Sequence, residues 1–143
     1  MSKIVRDITE ITRCGVQYRT ESFAPMGLKA CHGSYLLEIC ASPGISQEQL
    51  AKSICINKSN VARQAAALEE EGFITRQPCG KDKRVMRLHP TEKTLALLPQ
   101  INQIMDVWQE NLIQDISSEE RVVLEKLLAR MKQHAEAWLE EKL

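Results

Sequence analysis

Aromatic residues are scarce: two Trp, two Tyr and two Phe in 143 residues, 4% of the chain. The core must rest on Leu, Ile, Val and Ala, which favours packed helices over a sheet sandwich. No uninterrupted apolar run approaches the ~20 residues of a membrane span. The opening MSKIVRDITEITR has charges every few residues and no apolar core of a signal peptide. The five cysteines are odd in number and include no CxxC pair. That argues against a disulfide framework and for reduced intracellular thiols, hence a soluble, cytoplasmic protein.

Catalytic signatures are missing too. The chain has no Gly-rich phosphate loop, GxSxG elbow or HExxH helix, and its three histidines are scattered. An enzyme is not expected. No clustered ligand set suggests a metal, and no cofactor is implied.

Net charge is zero, but it is unevenly spread. Residues 57–93 hold eight basic and five acidic residues, and residues 94–143 hold five and nine. An anionic polymer would be drawn to the first stretch and repelled from the second.

What is present is helical periodicity. Ile4, Ile8, Ile11, Gly15 and Tyr18 form a stripe over residues 3–22, ended by Pro25 and Gly27. A second helix is expected over 29–41, with Leu36, Leu37, Ile39 and Cys40, then a turn at Ser42-Pro43-Gly44. Ser46 and Gln49 fit a capping box for a short helix burying Leu50, Ala51 and Ile54. Asn57 is a good N-cap for a helix over 58–71, whose buried face is Val61, Ala65 and Leu68. Gly72 stands where a left-handed residue would end it. A connection of about three residues joins the two helices, as a helix-turn-helix requires.

Residues 73–77 and 84–88 alternate apolar and polar, as half-buried strands do, with a hairpin tip over 78–83. Thr91 can cap a long helix over 92–114, striped by Leu95, Leu98, Ile101, Met105, Trp108 and Leu112 and interrupted by Pro99. Ser117-Ser118-Glu119-Glu120 opens a last helix carrying Leu124, Leu127 or Leu128, Met131, Ala135 and Trp138. These long apolar stripes exceed what one small domain must bury, which favours an intertwined homodimer.

The 58–71 helix presents Ser59 and Arg63 opposite its buried face, with Asn60 and Ala62 flanking them and small residues following, and Gln64 is a further candidate contact. That suits the N-terminal half of a helix entering a DNA major groove: Arg63 can bind a guanine edge and Asn60 an adenine edge. Ser46, Gln47, Lys58 and Ser59 suit phosphates. The hairpin adds Lys81, Lys83 and Arg84, and an Arg on a hairpin tip can enter a minor groove. Asp82 would repel DNA unless it hydrogen-bonds Arg84 and fixes its direction. The rival reading is a module of the same shape used only for protein contact.

The segments PGISQEQLAKSI and NKSNVARQAAALEEEGFITR, with Asp82-Lys83-Arg84, resemble the winged helix of the MarR family of bacterial transcription regulators. The likeness extends through LHPTEK and SSEE over nearly the whole chain. It departs at Thr94, where the family commonly has Gly, and at Pro99, and both bear on the angle of the long helix. The resemblance implies a mainly α fold with a small β-hairpin wing. It makes the chain a single MarR-like domain over 1–143, with a winged-helix DNA-binding lobe at 30–90 and dimerisation helices at 1–28 and 91–143.

It also implies a homodimer binding a pseudo-palindromic operator, usually as a repressor released by a small-molecule inducer, oxidation or a metal. Cys14, four residues before Tyr18, resembles the first-helix cysteine of the peroxide-sensing branch of the family. Cys31, beside His32, is the second redox candidate. Arg13, His32 and Tyr35 are candidates to line an inducer pocket.

Overall fold

The computed structural model describes residues 2–142, without the side chain of Lys83. The elements run α1 (Lys3–Phe23), a 3-10 turn (Ala24–Met26), α2 (His32–Ala41), β1 (Ile45–Ser46), α3 (Gln47–Ser53), α4 (Lys58–Glu70), β2 (Ile74–Cys79), β3 (Asp82–Pro90), α5 (Glu92–Leu112) and α6 (Ser118–Lys142). Two compact units emerge, Met1–Trp108 and Gln109–Leu143. Their boundary falls near the end of α5.

The first unit is built around Tyr35, Leu36 and Ile39 of α2, Leu50 and Ala51 of α3, Val61, Ala65 and Leu68 of α4, Phe73, Ile74 and Leu88 of the sheet, and Phe23 and Ile101. Fully burying a side chain of this kind contributes ~1.5–3 kcal/mol. The helical spacing of Val61, Ala65 and Leu68 is thus the spacing of the face that α4 buries. At Gly15, α1 comes so near α5 that an added Cβ would lie 3.2 Å from the Trp108 ring. One turn on, Tyr18 stacks on that ring at 5.8 Å.

Three boundaries differ from the sequence expectation. α2 begins at His32 and not at 29, because the His32 ring closes the preceding turn: the Lys29 N–H donates to Nδ1 at 3.1 Å. A third strand, β1, lies beside β3, with Ile45 opposite Leu88 and Ser46 opposite Arg87. The hairpin is longer than expected, and β3 continues through His89 to Pro90, paired with Thr75 and Ile74.

The sheet is antiparallel in the order β1-β3-β2. Its register breaks near the tip. Pro78 faces Met86, but Cys79 faces Asp82, so residues 83–85 have no opposite number in β2.

In the second unit, Ser117 and Glu120 exchange the two bonds of a capping box at 3.0 and 3.1 Å. α6 buries none of its residues: Val122, Val123, Leu127, Leu128, Met131, Trp138 and Leu139 are all exposed. Ile116, Val123, Leu124 and Leu127 line a groove of about 480 Å³ rimmed by Glu119 and Glu120. Among the described residues no helix is long and apolar enough to cross a membrane. Nor do three His, Cys, Asp or Glu side chains gather among them as a metal site.

Candidate nucleic-acid interface

Both helices of the α3–α4 pair are capped by their own sequence. Ser46 accepts from the Gln49 N–H and Gln49 returns a bond to the Ser46 N–H, both at 3.0 Å. Asn57 accepts from the Asn60 N–H at 2.8 Å and from the Ser59 hydroxyl at 3.0 Å. Between the helices Cys55 holds φ +58°, the left-handed region, where a Cβ is crowded. α4 ends in a Schellman motif: the Gly72 N–H reaches Glu69 O and the Phe73 N–H reaches Leu68 O. Gly72, at φ +81°, supplies the required conformation.

The outward N-terminal half of α4 carries Lys58, Ser59, Asn60 and Arg63, as the sequence indicated. Arg63 donates to the Asn60 amide oxygen at 3.2 Å. Lys58 meets Glu48 of α3 at 2.9 Å, with both side chains exposed, and the ammonium holds the Glu48 carboxyl below its usual range. Such exposed pairs contribute little to stability.

Three predicted contact residues are more committed. Gln64 accepts from His32, Gln47 accepts from Arg76 at 3.4 Å, and Ser46 is buried with its oxygen in the cap.

In the wing, Lys81 is exposed in the turn. The side chain of Lys83 lies outside the described residues. Asp82 Oδ1 accepts from the Arg84 backbone N–H at 3.0 Å and from Arg84 Nε at 3.3 Å. The bond that sequence reasoning required of Asp82 is therefore present, and Asp82 also satisfies a backbone donor where the ladder is interrupted. The Arg84 side chain is 92% exposed.

Sequence reasoning missed the braces behind the wing. Glu69 of α4 accepts from the Arg76 N–H at 2.8 Å and Arg76 Nε at 3.1 Å. Arg87 donates to Gly44 O at 3.1 Å and to Cys79 Sγ at 3.3 Å. The available signal was an Arg in each half-buried strand, with Glu69 seven residues before Arg76 across a glycine turn.

The signal-sensing candidates fall as follows. His32 and Tyr35 are both buried, their rings edge to face at 6.4 Å. His32 Nδ1 accepts from the Lys29 N–H, so Nε2 bears the proton and donates to Gln64 Oε1 at 2.9 Å. Burial pushes the His32 pKa down, the Gln64 bond opposes this, and Lys29 adds to it. The Tyr35 hydroxyl has no hydrogen-bond partner among the described residues, and burial pushes its pKa up. Arg13 is exposed on α1, and Cys14 and Cys31 are exposed thiols.

The sequence profile of the MarR family matches residues 31–86. The uncharacterized HTH-type transcriptional regulator YybA of Bacillus subtilis (strain 168) is 31% identical over 136 residues, 95% of this chain and 91% of that protein. Among solved structures, the transcriptional regulator SlyA superposes with a TM-score of 0.93 at 30% identity, covering 97% of this chain and 98% of that one. A MarR-family regulator from Listeria monocytogenes, solved with a 26-mer DNA, has a TM-score of 0.91 at 28% identity, covering 99% and 95%.

Proposed function

Because the chain belongs to the MarR family of transcriptional regulators, we propose that it is a cytoplasmic repressor that binds double-stranded DNA as a homodimer. The operator is pseudo-palindromic, its half-sites about one helical turn apart. Each copy lays α4 in a major groove, with Asn60 and Arg63 on base edges and Lys58 and Ser59 on phosphates. The wing sends Arg84 into the minor groove.

The observation that carries this reading is Arg84 itself. It stands at the break in the ladder, 92% exposed, with its direction held by Asp82. The DNA bound to the Listeria relative supports it. The exposed apolar faces of α1 (Ile4, Val5, Ile8, Ile11, Val16) and α6 support a second copy as their cover.

The test is duplex binding over a range of salt. A reader of this kind shows a steep salt slope, and Arg84→Ala loses about 5- to 150-fold in affinity while the dimer persists. A flat salt response would instead support a module for protein contact.

Release is assigned to a small molecule at Tyr35 and His32, because a buried hydroxyl lacking a partner is where a ligand's polar group gains most. Oxidation at Cys14 or Cys31 is the second reading, supported by the exposure of both thiols. Peroxide and small phenols added separately to the bound duplex distinguish the two.

A further inference from the structure

The C-terminal end of α4 lacks the usual charge complement. Glu69, Glu70 and Glu71 crowd the negative end of the helix dipole, and its last turn has no basic residue. The missing partners come from the first turn of α5. Lys93 Nζ donates to Glu71 O at 2.8 Å and lies 4.1 Å over the Phe73 ring. The Thr91 hydroxyl reaches Gly72 O at 2.7 Å and Phe73 O at 3.1 Å. It has one proton for these two carbonyls. Thr94, fully buried, gives its hydroxyl proton to Phe73 O at 2.5 Å.

The joint between α4 and α5 is thus closed on the carbonyls of Glu71, Gly72 and Phe73, and Phe73 O carries the most, since it also accepts the Thr91 backbone N–H at 3.1 Å. From Thr94 to Trp108 the helix rises ~21 Å, so a tilt of ~9° at the joint swings its far end by ~3 Å. That is close to the ~3.4 Å rise of one base pair.

We infer that Thr94 is a positioning residue for half-site spacing: its bond to the Phe73 carbonyl fixes the angle at which α5 leaves α4, and so the separation at which two copies of α4 meet DNA. The inference rests on the two-copy DNA reading above.

The probe is the tightest duplex that the full-length protein recovers from a randomised pool. It is compared with the same duplex carrying one base pair more or fewer at its centre, and with a single half-site. Wild type prefers the parent spacing by about tenfold or more, the cost of one mismatch-sized error. Thr94→Val keeps the shape and loses the hydroxyl. It binds the half-site as wild type does and loses most of the spacing preference, while Thr94→Ser restores it. If Thr94→Val keeps the wild-type preference, the inference fails alone. Equal weakening on every duplex, half-site included, also overturns it, since that is a folding defect. If the wild type recovers no two-half-site duplex, the dimeric DNA reading fails with it.

Discussion

One carboxylate oxygen of Asp82 accepts both the backbone N–H and the Nε–H of Arg84, at 3.0 and 3.3 Å. By charge alone, removing Asp82 from a tip proposed to face phosphates should strengthen DNA binding. By aim it should weaken it, because Arg84 loses its direction and its backbone donor loses its acceptor. We expect Asp82→Ala to weaken duplex binding about five- to tenfold, the share of an arginine contact that depends on orientation. Titration of a labelled duplex decides it: tighter binding by the variant would mean that charge outweighs aim.

The Glu69–Arg76 pair is half-buried and ties α4 to β2. Glu69→Ala leaves the Arg76 N–H and Nε–H without their acceptor, and the guanidinium with only its longer bond to Gln47, at a cost of about 1–3 kcal/mol. Urea unfolding reads this as a lower midpoint at unchanged slope. An unchanged midpoint would mean that solvent replaces the carboxylate freely.

Cys55 sits at φ +58° in the turn between α3 and α4. Relieving that strain by Cys55→Gly is worth ~1–2 kcal/mol, offset by ~0.5–1 kcal/mol of extra chain entropy in the unfolded state. The expected net gain, about 0.5–1 kcal/mol, is measured as a rise in thermal midpoint. A fall in midpoint would show the side chain contributing more than it strains.

His32 links pH to stability. Burial lowers its folded pKa below 6.5, so the unfolded chain takes up a proton at a pH where the folded chain stays neutral. This contribution is fully present above pH 6.5 and is lost as pH falls from there toward the lowered folded value. Protonation of Nδ1 would also expel the Lys29 N–H. The urea midpoint should therefore fall between about pH 7.5 and 5.5 by more in wild type than in His32→Gln, which removes the titration. Parallel pH profiles would remove His32 from the account.

Leu127 and Met131 are exposed one turn apart on α6. If a second copy covers them, Leu127→Glu with Met131→Glu buries two uncompensated charges and halves the mass seen by sedimentation. An unchanged dimer would place the interface elsewhere.

The α3–α4 pair was legible because its signals are local. Asn57 and Gly72 bracket α4, and Val61, Ala65 and Leu68 repeat at its own period. The Asp82–Arg84 bond was legible from a chemical contradiction, an acid among bases. Other features lay beyond reach. β1 is two residues long, too short to carry any alternation. The register break at 83–85 is invisible because RVMRL keeps alternating through it. The start of α2 depends on the His32 ring bonding a backbone N–H three residues earlier, which periodicity does not register. Thr94 stood out as a departure from the family, but its bond to Phe73 O spans 21 residues and only folding brings the two together.

β2 forms one edge of the sheet, and an edge strand is an open template for another chain. Its outer half carries Pro78, which offers no N–H, directly before the break in register. The opposite edge, β1, is only two residues long. Both margins are therefore poor templates for a neighbour's strand.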